Sequence, residues 1–297
     1  MHDRERRSAT TPAQVQVTRG RAGPLLLRAL RRDPGKVAMF LALVLVTVVM
    51  LYPFQYMVVN SLRSEQQYLL GRGFSLSSWP ALFSALPVGQ ELFNSMLIAT
   101  AAILLILTCS SAAGFAFAKL AFRGRGFVLL AIIGSMMVPV QSIIIPEYVN
   151  FAQIHLINSY LSAILVYAAL GTPFATFLMT AYFRGLPDEL VEAALCDGLS
   201  YRQTFRRIAL PLAKPALVTV TVLQFIQIWD DFLVGLLFLQ EPTNRTITVG
   251  LGALSSGHVV SVPVLMAGSL LSAVPAVAVY LFFQRHLISG LTLGVAR

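Results

Sequence analysis

Charge is what this sequence has least of. Only 12% of its 297 residues are Asp, Glu, Lys or Arg, while 57% are hydrophobic. A soluble domain carries about a quarter charged residues, so a water-facing surface could not be covered here. Cysteine is scarce too. Cys109 and Cys196 have no histidine or second cysteine at ligand spacing, which leaves neither a disulfide framework nor a metal site. The sole Gly-Lys pair, Gly35–Lys36, lacks the preceding glycine of a P-loop, so this chain has no nucleotide-binding loop of that type. GxSxG and HExxH runs are missing, and no other catalytic constellation takes their place. Segments of period-two alternation, which a membrane barrel would need, are also absent.

What the chain does have is apolar length. Six runs lie near the ~20 residues that cross a bilayer as a helix: Val37–Val59, Phe93–Ala118, Phe127–Pro146, Ser159–Phe183, Pro215–Leu239 and Val262–Gln284. Only the fifth contains Asp, Glu, Lys or Arg, namely Asp230 and Asp231. The fold class read from this is all-α, a polytopic membrane protein of six transmembrane helices. The net charge of +9 would suggest nucleic acid in a soluble chain, but its distribution points elsewhere. With both termini in the cytoplasm, every Lys and Arg except Arg63, Arg72 and Arg245 falls on the inner side. That bias predicts a multi-pass protein of the cytoplasmic membrane, with no nucleic-acid partner.

Domain organisation follows. Residues 1–36 read as a basic cytoplasmic tail, with a short interfacial helix expected around Leu25–Arg32 against anionic headgroups. Residues 37–285 form the six-span domain, and 286–297 a second cytoplasmic tail. The external connections, Asn60–Leu92, Glu147–Asn158 and Gln240–Ser261, are too short for a receptor domain. Capture of a solute outside therefore falls to another protein.

The most informative stretch is the cytoplasmic connection 187–215. Pro187 suits the first helical position, where its missing N–H costs nothing, and Asp188 and Glu189 complement the positive helix end. That helix should stop at Asp197, with Gly198 as its left-handed cap. Ser200 and Gln203 form a capping box that starts a second helix through Tyr201, Phe205 and Arg206, which Pro211 should close. Two short helices joined at a glycine make a rigid element on which a soluble motor could push. Ala193, Ala194 and Gly198 allow close backbone approach, while Glu192, Arg202, Arg206 and Arg207 can fix register.

The run Glu192-Ala193-Ala194-Leu-Cys-Asp197-Gly198, ending Ile208-Ala209-Leu210-Pro211, closely resembles the EAA loop of binding-protein-dependent ABC importer permeases. Asp197 and the pair Pro211/Pro215 look like the carbohydrate branch, of the maltose-permease inner-subunit type. Further resemblance lies in Phe93-Asn94-Ser95, Ala112–Arg125, Trp229-Asp230-Asp231-Phe232 and Gly290-Leu-Thr-Leu-Gly294. Two departures stand out: Asp230-Asp231 replaces the family's more usual Asn followed by an acidic residue, and the chain ends Gly-Val-Ala-Arg. The resemblance implies a permease that is not itself an enzyme, with ATP and Mg bound by partner chains. The implied partners are a second homologous permease, two ATPase subunits and an extracytoplasmic solute-binding protein, with a sugar as substrate. The helix Ser200–Ala209 would be the coupling helix, with Glu192 and Gly198 at the ATPase contact. The tail Gly290–Arg297 would reach toward the ATPase pair, and the last external connection would face the binding protein.

Inside the membrane, Gln224, Gln227 and Asp231 fall within roughly 60° of one helical face, and Asp230 about 60° beyond. Such a stripe suits a sugar path, since amides and carboxylates replace hydration. It equally suits bonding between helices, and both readings stay open. Two functional alternatives stand beside sugar import. One is the same architecture carrying a phosphodiester or polyol; the other is an ion-coupled secondary transporter using Asp230 or Asp231.

Overall fold

A computed structural model describes residues 34–256 and 261–292, and divides the chain into two compact units, Met1–Gln55 and Tyr56–Arg297. The expected helix around Leu25–Arg32 and the last five residues of the chain lie outside the described residues. All regular structure among the described residues is helical. In the first unit the described residues belong to helix α1 (Pro34–Ser61), long and apolar enough to cross a membrane.

The second unit takes in the end of α1 and then two short helices, α2 (Glu65–Leu69) and α3 (Ser78–Ala85). Its framework is α4 (Val88–Lys119) packed along α7 (Tyr160–Arg184). Small residues set how close these two approach. A Cβ on Gly114 would lie 2.7 Å from Met179 Cβ and 2.9 Å from the Thr180 backbone nitrogen. Helices meet in lipid by this kind of close packing, because burial away from water drives nothing there. Ile98, Ala102 and Ile106 of α4 and Ala175, Met179 and Phe183 of α7 are buried along the pair.

The expected third span is not straight. It divides into α5 (Arg125–Ser135) and α6 (Val140–Gln153), bent by 94°. Pro139 is the cause: it has no N–H to continue the ladder, and it pushes Val138 out of the helical region. Met137 and Val138 close α5 with short bonds to the Gly134 and Ser135 carbonyls. The fifth expected span, Pro215–Leu239, is also interrupted. Helix α10 (Lys214–Asp230) ends at an extended Asp231, and α11 (Leu233–Phe238) follows. Among the described residues four helices are long and apolar enough to cross a membrane, or up to six if each of two bent pairs is one span: α5 with α6, and Tyr201–Leu212 with α10, bent by 73°. The chain is an integral membrane protein. Helix α12 (Ile247–Ser255) and the long α13 (Val262–Thr292) complete the unit, α13 running past the expected span end at Gln284. The connecting loop helices are α8 (Asp188–Cys196) and α9 (Tyr201–Leu212).

Candidate functional site: the two-helix loop and the broken fifth span

Loop 187–215 is built almost entirely from local bonds. Pro187 stands one residue earlier than expected, in the cap position with extended ψ, so that Asp188 is the first helical residue. The Pro187 carbonyl accepts the first helical bond, from Leu190 N at 3.3 Å. At the other end, Gly198 takes φ +83°. There Gly198 N donates to Leu195 O (3.0 Å) and Leu199 N to Ala194 O (3.0 Å), the pattern of a glycine-terminated helix. The expected capping box is present: Ser200 N donates to Gln203 Oε1 (2.8 Å) and Gln203 N to Ser200 Oγ (3.3 Å).

Pro211 does not close the second helix. Instead α9 continues through it to Leu212, by widening into a π turn over Phe205–Ala209. Leu210 N reaches back five residues to Phe205 O, and Pro211, lacking N–H, follows within the looser geometry. The wider turn also keeps Thr204, Ala209 and Ala213 buried on one side.

Three contacts tie this loop to the helix pair. Phe205 sits against Phe115 of α4 (ring centroids 5.3 Å) and Phe183 of α7 (6.4 Å). Tyr182 Oη donates to Leu212 O at 2.7 Å. Lys119, its side chain only 3% exposed, donates to Leu186 O (2.6 Å) and Asp188 Oδ1 (2.5 Å). In the sequence Lys119 reads only as one of the inner-side charges; its place at the end of an apolar run is the available signal.

Of the loop residues singled out from sequence, Glu192, Ala193, Asp197, Gly198, Ser200, Tyr201, Arg206 and Pro211 are exposed. Ala194 is buried and Phe205 half-buried, so these two hold the element rather than present it. Glu192, Arg202, Arg206 and Arg207 make no ion pair among the described residues. Arg202 and Arg206 instead edge an open groove of about 510 Å³ beside Leu107, Thr108 and Ser111 of α4. A rigid element with unpaired charges on its open side has the make-up of a docking face.

The polar stripe in the fifth span separates into two pairs. Gln224 is 1% exposed and lies against Gly171, where a Cβ would come 2.3 Å from its Oε1. Asp231 is off the helical face, because α10 ends before it. Its Oδ1 accepts from Tyr167 Oη (3.0 Å) and from Val234 N (2.8 Å), capping α11. Gln227 and Asp230, one turn apart, are exposed on the side turned away from this bundle.

Residues 110–292 match the family model described as binding-protein-dependent transport system inner membrane component. The chain belongs to this family. Among relatives, the trehalose/maltose transport system permease protein of Thermococcus litoralis is 30% identical, over 88% of this chain and 97% of that one. A bacterial ABC transporter involved in alginate import has the same fold, with a TM-score of 0.75 and 22% identity, over 87% of this chain and 97% of that one. A bacterial alginate ABC transporter solved with a pentasaccharide-bound periplasmic protein aligns at TM-score 0.64 and 16% identity, over 88% and 98%.

The matched range of this transport family takes in the whole two-helix loop and begins inside α4. A second built region lies at the far end of α4, where residues that precede the matched range meet a strap that lies within it. With 1.5 Å per residue, the 32-residue helix separates the two ends by roughly 48 Å. There the strap 239–246 crosses the ends of three helices. Asn94 is fully buried: its Nδ2 donates to Thr243 O and Arg245 O (both 2.9 Å), and its Oδ1 accepts from Tyr160 Oη (2.7 Å) and Gln90 Nε2 (3.0 Å). Ser95 Oγ accepts from Ile247 N at 2.9 Å. In the sequence Phe93-Asn94-Ser95 stands out as a motif, but nothing near it points to this role.

Proposed function

We propose that this chain is a permease subunit of a binding-protein-dependent ABC importer for a sugar or oligosaccharide, with loop 187–215 as the seat of its partner ATPase. The observation that carries the reading is the loop itself: two capped helices about Gly198, exposed and charged on one side, anchored to the helix pair at Lys119, Tyr182 and Phe205. A motor that closes on such an element moves it as a rigid body, and its anchors carry the motion to α4 and α7.

In this reading the loop and both termini face the cytoplasm of the cell membrane, and strap 239–246 faces outward. ATP and Mg are held by two ATPase partners. A second, related permease completes the path, and a solute-binding protein delivers the sugar. The family membership supports binding-protein-dependent transport, and the trehalose/maltose relative and the alginate transporters support carbohydrate as the class. Gln227 and Asp230, exposed on a broken membrane helix, would meet the solute; Asp231 holds the break in shape, and Gln224 is buried against Gly171. Unwound backbone at a helix break is where transporters commonly bind.

The test is uptake by vesicles carrying the assembled complex. Uptake should require internal ATP and survive collapse of the proton gradient. Uptake that persists without ATP and stops with the gradient would replace this reading with ion-coupled transport.

A further inference from the structure

Exposed connections of this length are usually the loosest part of a fold. Strap 239–246 is not. Beyond the Asn94 and Ser95 bonds, it is shaped by Asn158, which lies in the turn between α6 and α7. Asn158 Oδ1 accepts from Gln240 N (2.7 Å) and Glu241 N (3.2 Å), its own N donates to Phe238 O (3.0 Å), and Asn244 Nδ2 donates to its carbonyl (2.6 Å). The residue has φ +62°, a left-handed conformation that asparagine tolerates better than most side chains. Arg245 closes the turn from the other side, donating from Nε and Nη2 to Gln240 O at 3.2 and 3.0 Å.

The result is a knob. Gln240, Glu241, Pro242 and Thr243 are exposed in succession, with the first two backbone nitrogens fixed from below. Its tip is polar, with no large apolar side chain, which suits water and a soluble partner rather than lipid. The knob is also wired inward. It follows α11 directly, and Thr248 Oγ1, just beyond it, donates to Trp229 O (3.0 Å) at the end of α10.

We propose that Asn158 is a positioning residue for receptor docking: it presets the knob Gln240–Thr243 on which the solute-binding protein lands. The inference rests on the importer reading above. A surface already ordered loses little freedom when a partner arrives, so its preorganisation appears as affinity.

The experiment titrates the purified solute-binding protein of the same importer against the assembled complex in nanodiscs, reading stimulated ATP hydrolysis. Asn158→Gly keeps the backbone conformation and removes both acceptor bonds. The half-stimulating concentration should rise about tenfold, with the maximal rate within about twofold. Asn158→Asp retains the acceptor and should restore the wild-type value to within about threefold. Glu241→Trp, at the exposed tip, should raise the half-stimulating concentration at least as far without touching Asn158. If Asn158→Gly does not assemble, the tip variant decides. An unchanged half-stimulating concentration in the tip variant overturns the proposal. So does a loss confined to the maximal rate in Asn158→Gly, since that marks a merely structural residue. No stimulation of the wild type by the binding protein would bring down the importer reading itself, a result distinct from either.

Discussion

At the loop end of the bundle, exposed structure is held by neighbours in sequence. Ser200 and Gln203 cap each other across three residues, and Leu199 bonds back five to Ala194. At the strap end, the equivalent bonds join residues 149 and 151 positions apart at Asn94, and 82 and 83 apart at Asn158. The difference is mechanical. A locally bonded element keeps its shape wherever it is carried, so it can travel as a unit while its few anchors pass on the motion. A strap bonded to three helix ends has shape only while those ends keep their relation, so it registers their arrangement. In the proposed reading, one end is the part that is pushed and the other the part that senses.

The hardest blow to this contrast falls at Asn94. Asn94→Ala should strip support from the strap and leave two backbone carbonyls and the Tyr160 hydroxyl without their partner. Each orphaned group costs about 1–3 kcal/mol, and the total should be on the order of 3 kcal/mol. Thermal unfolding of the purified protein should drop by several degrees, with proteolysis newly opening the strap while loop 187–215 stays protected. An unaltered melting temperature would mean that the strap does not depend on distant residues, and the contrast would collapse.

Next in size is Gly198. No atom lies within 4 Å of where its Cβ would be, so a side chain there meets open space and the cost is purely one of backbone conformation at φ +83°. That cost is roughly 1–2 kcal/mol for most residues and smaller for asparagine. Gly198→Val should therefore leave folding and membrane insertion intact, yet lower solute uptake per ATP hydrolysed several-fold. Gly198→Asn should recover most of it. Equal uncoupling by both would show that the glycine is needed for bareness at the ATPase contact rather than for its turn.

This contrast also explains what could be read from the sequence. Gly198, the capping box and the acidic first turn of α8 are visible because cause and effect lie within a few residues. The bends are different. Apolar length measures whether a run can cross a membrane and says nothing of whether it is straight, so Phe127–Pro146 read as one span despite Pro139. Helical periodicity continued through Asp231 on paper, but Tyr167 and Val234 N draw its carboxylate into a cap and end α10 one residue before it. Pro211 reads as a stop because a proline cannot fit a regular α turn; the π turn that admits it forms where Phe205 meets Phe115 of α4 and Phe183 of α7. Asn158 carries no signal at all, since these partners lie eighty or more residues away.

The mildest test concerns the capping box, and it asks whether local bonds act as one unit. Ser200→Ala removes the acceptor for Gln203 N and should cost about 1 kcal/mol. The loss should fray the first turn of α9 and lower coupled uptake by no more than about fivefold. Gln203→Ala removes the reciprocal bond to Ser200 N. In the double variant the two losses should not add, because a turn already frayed has nothing left for the second bond to hold. Uptake in the double variant should then match the worse single variant to within about twofold. Fully additive losses would mean that each bond holds its own nitrogen independently, and the loop would then be a sum of small parts rather than a body that moves whole.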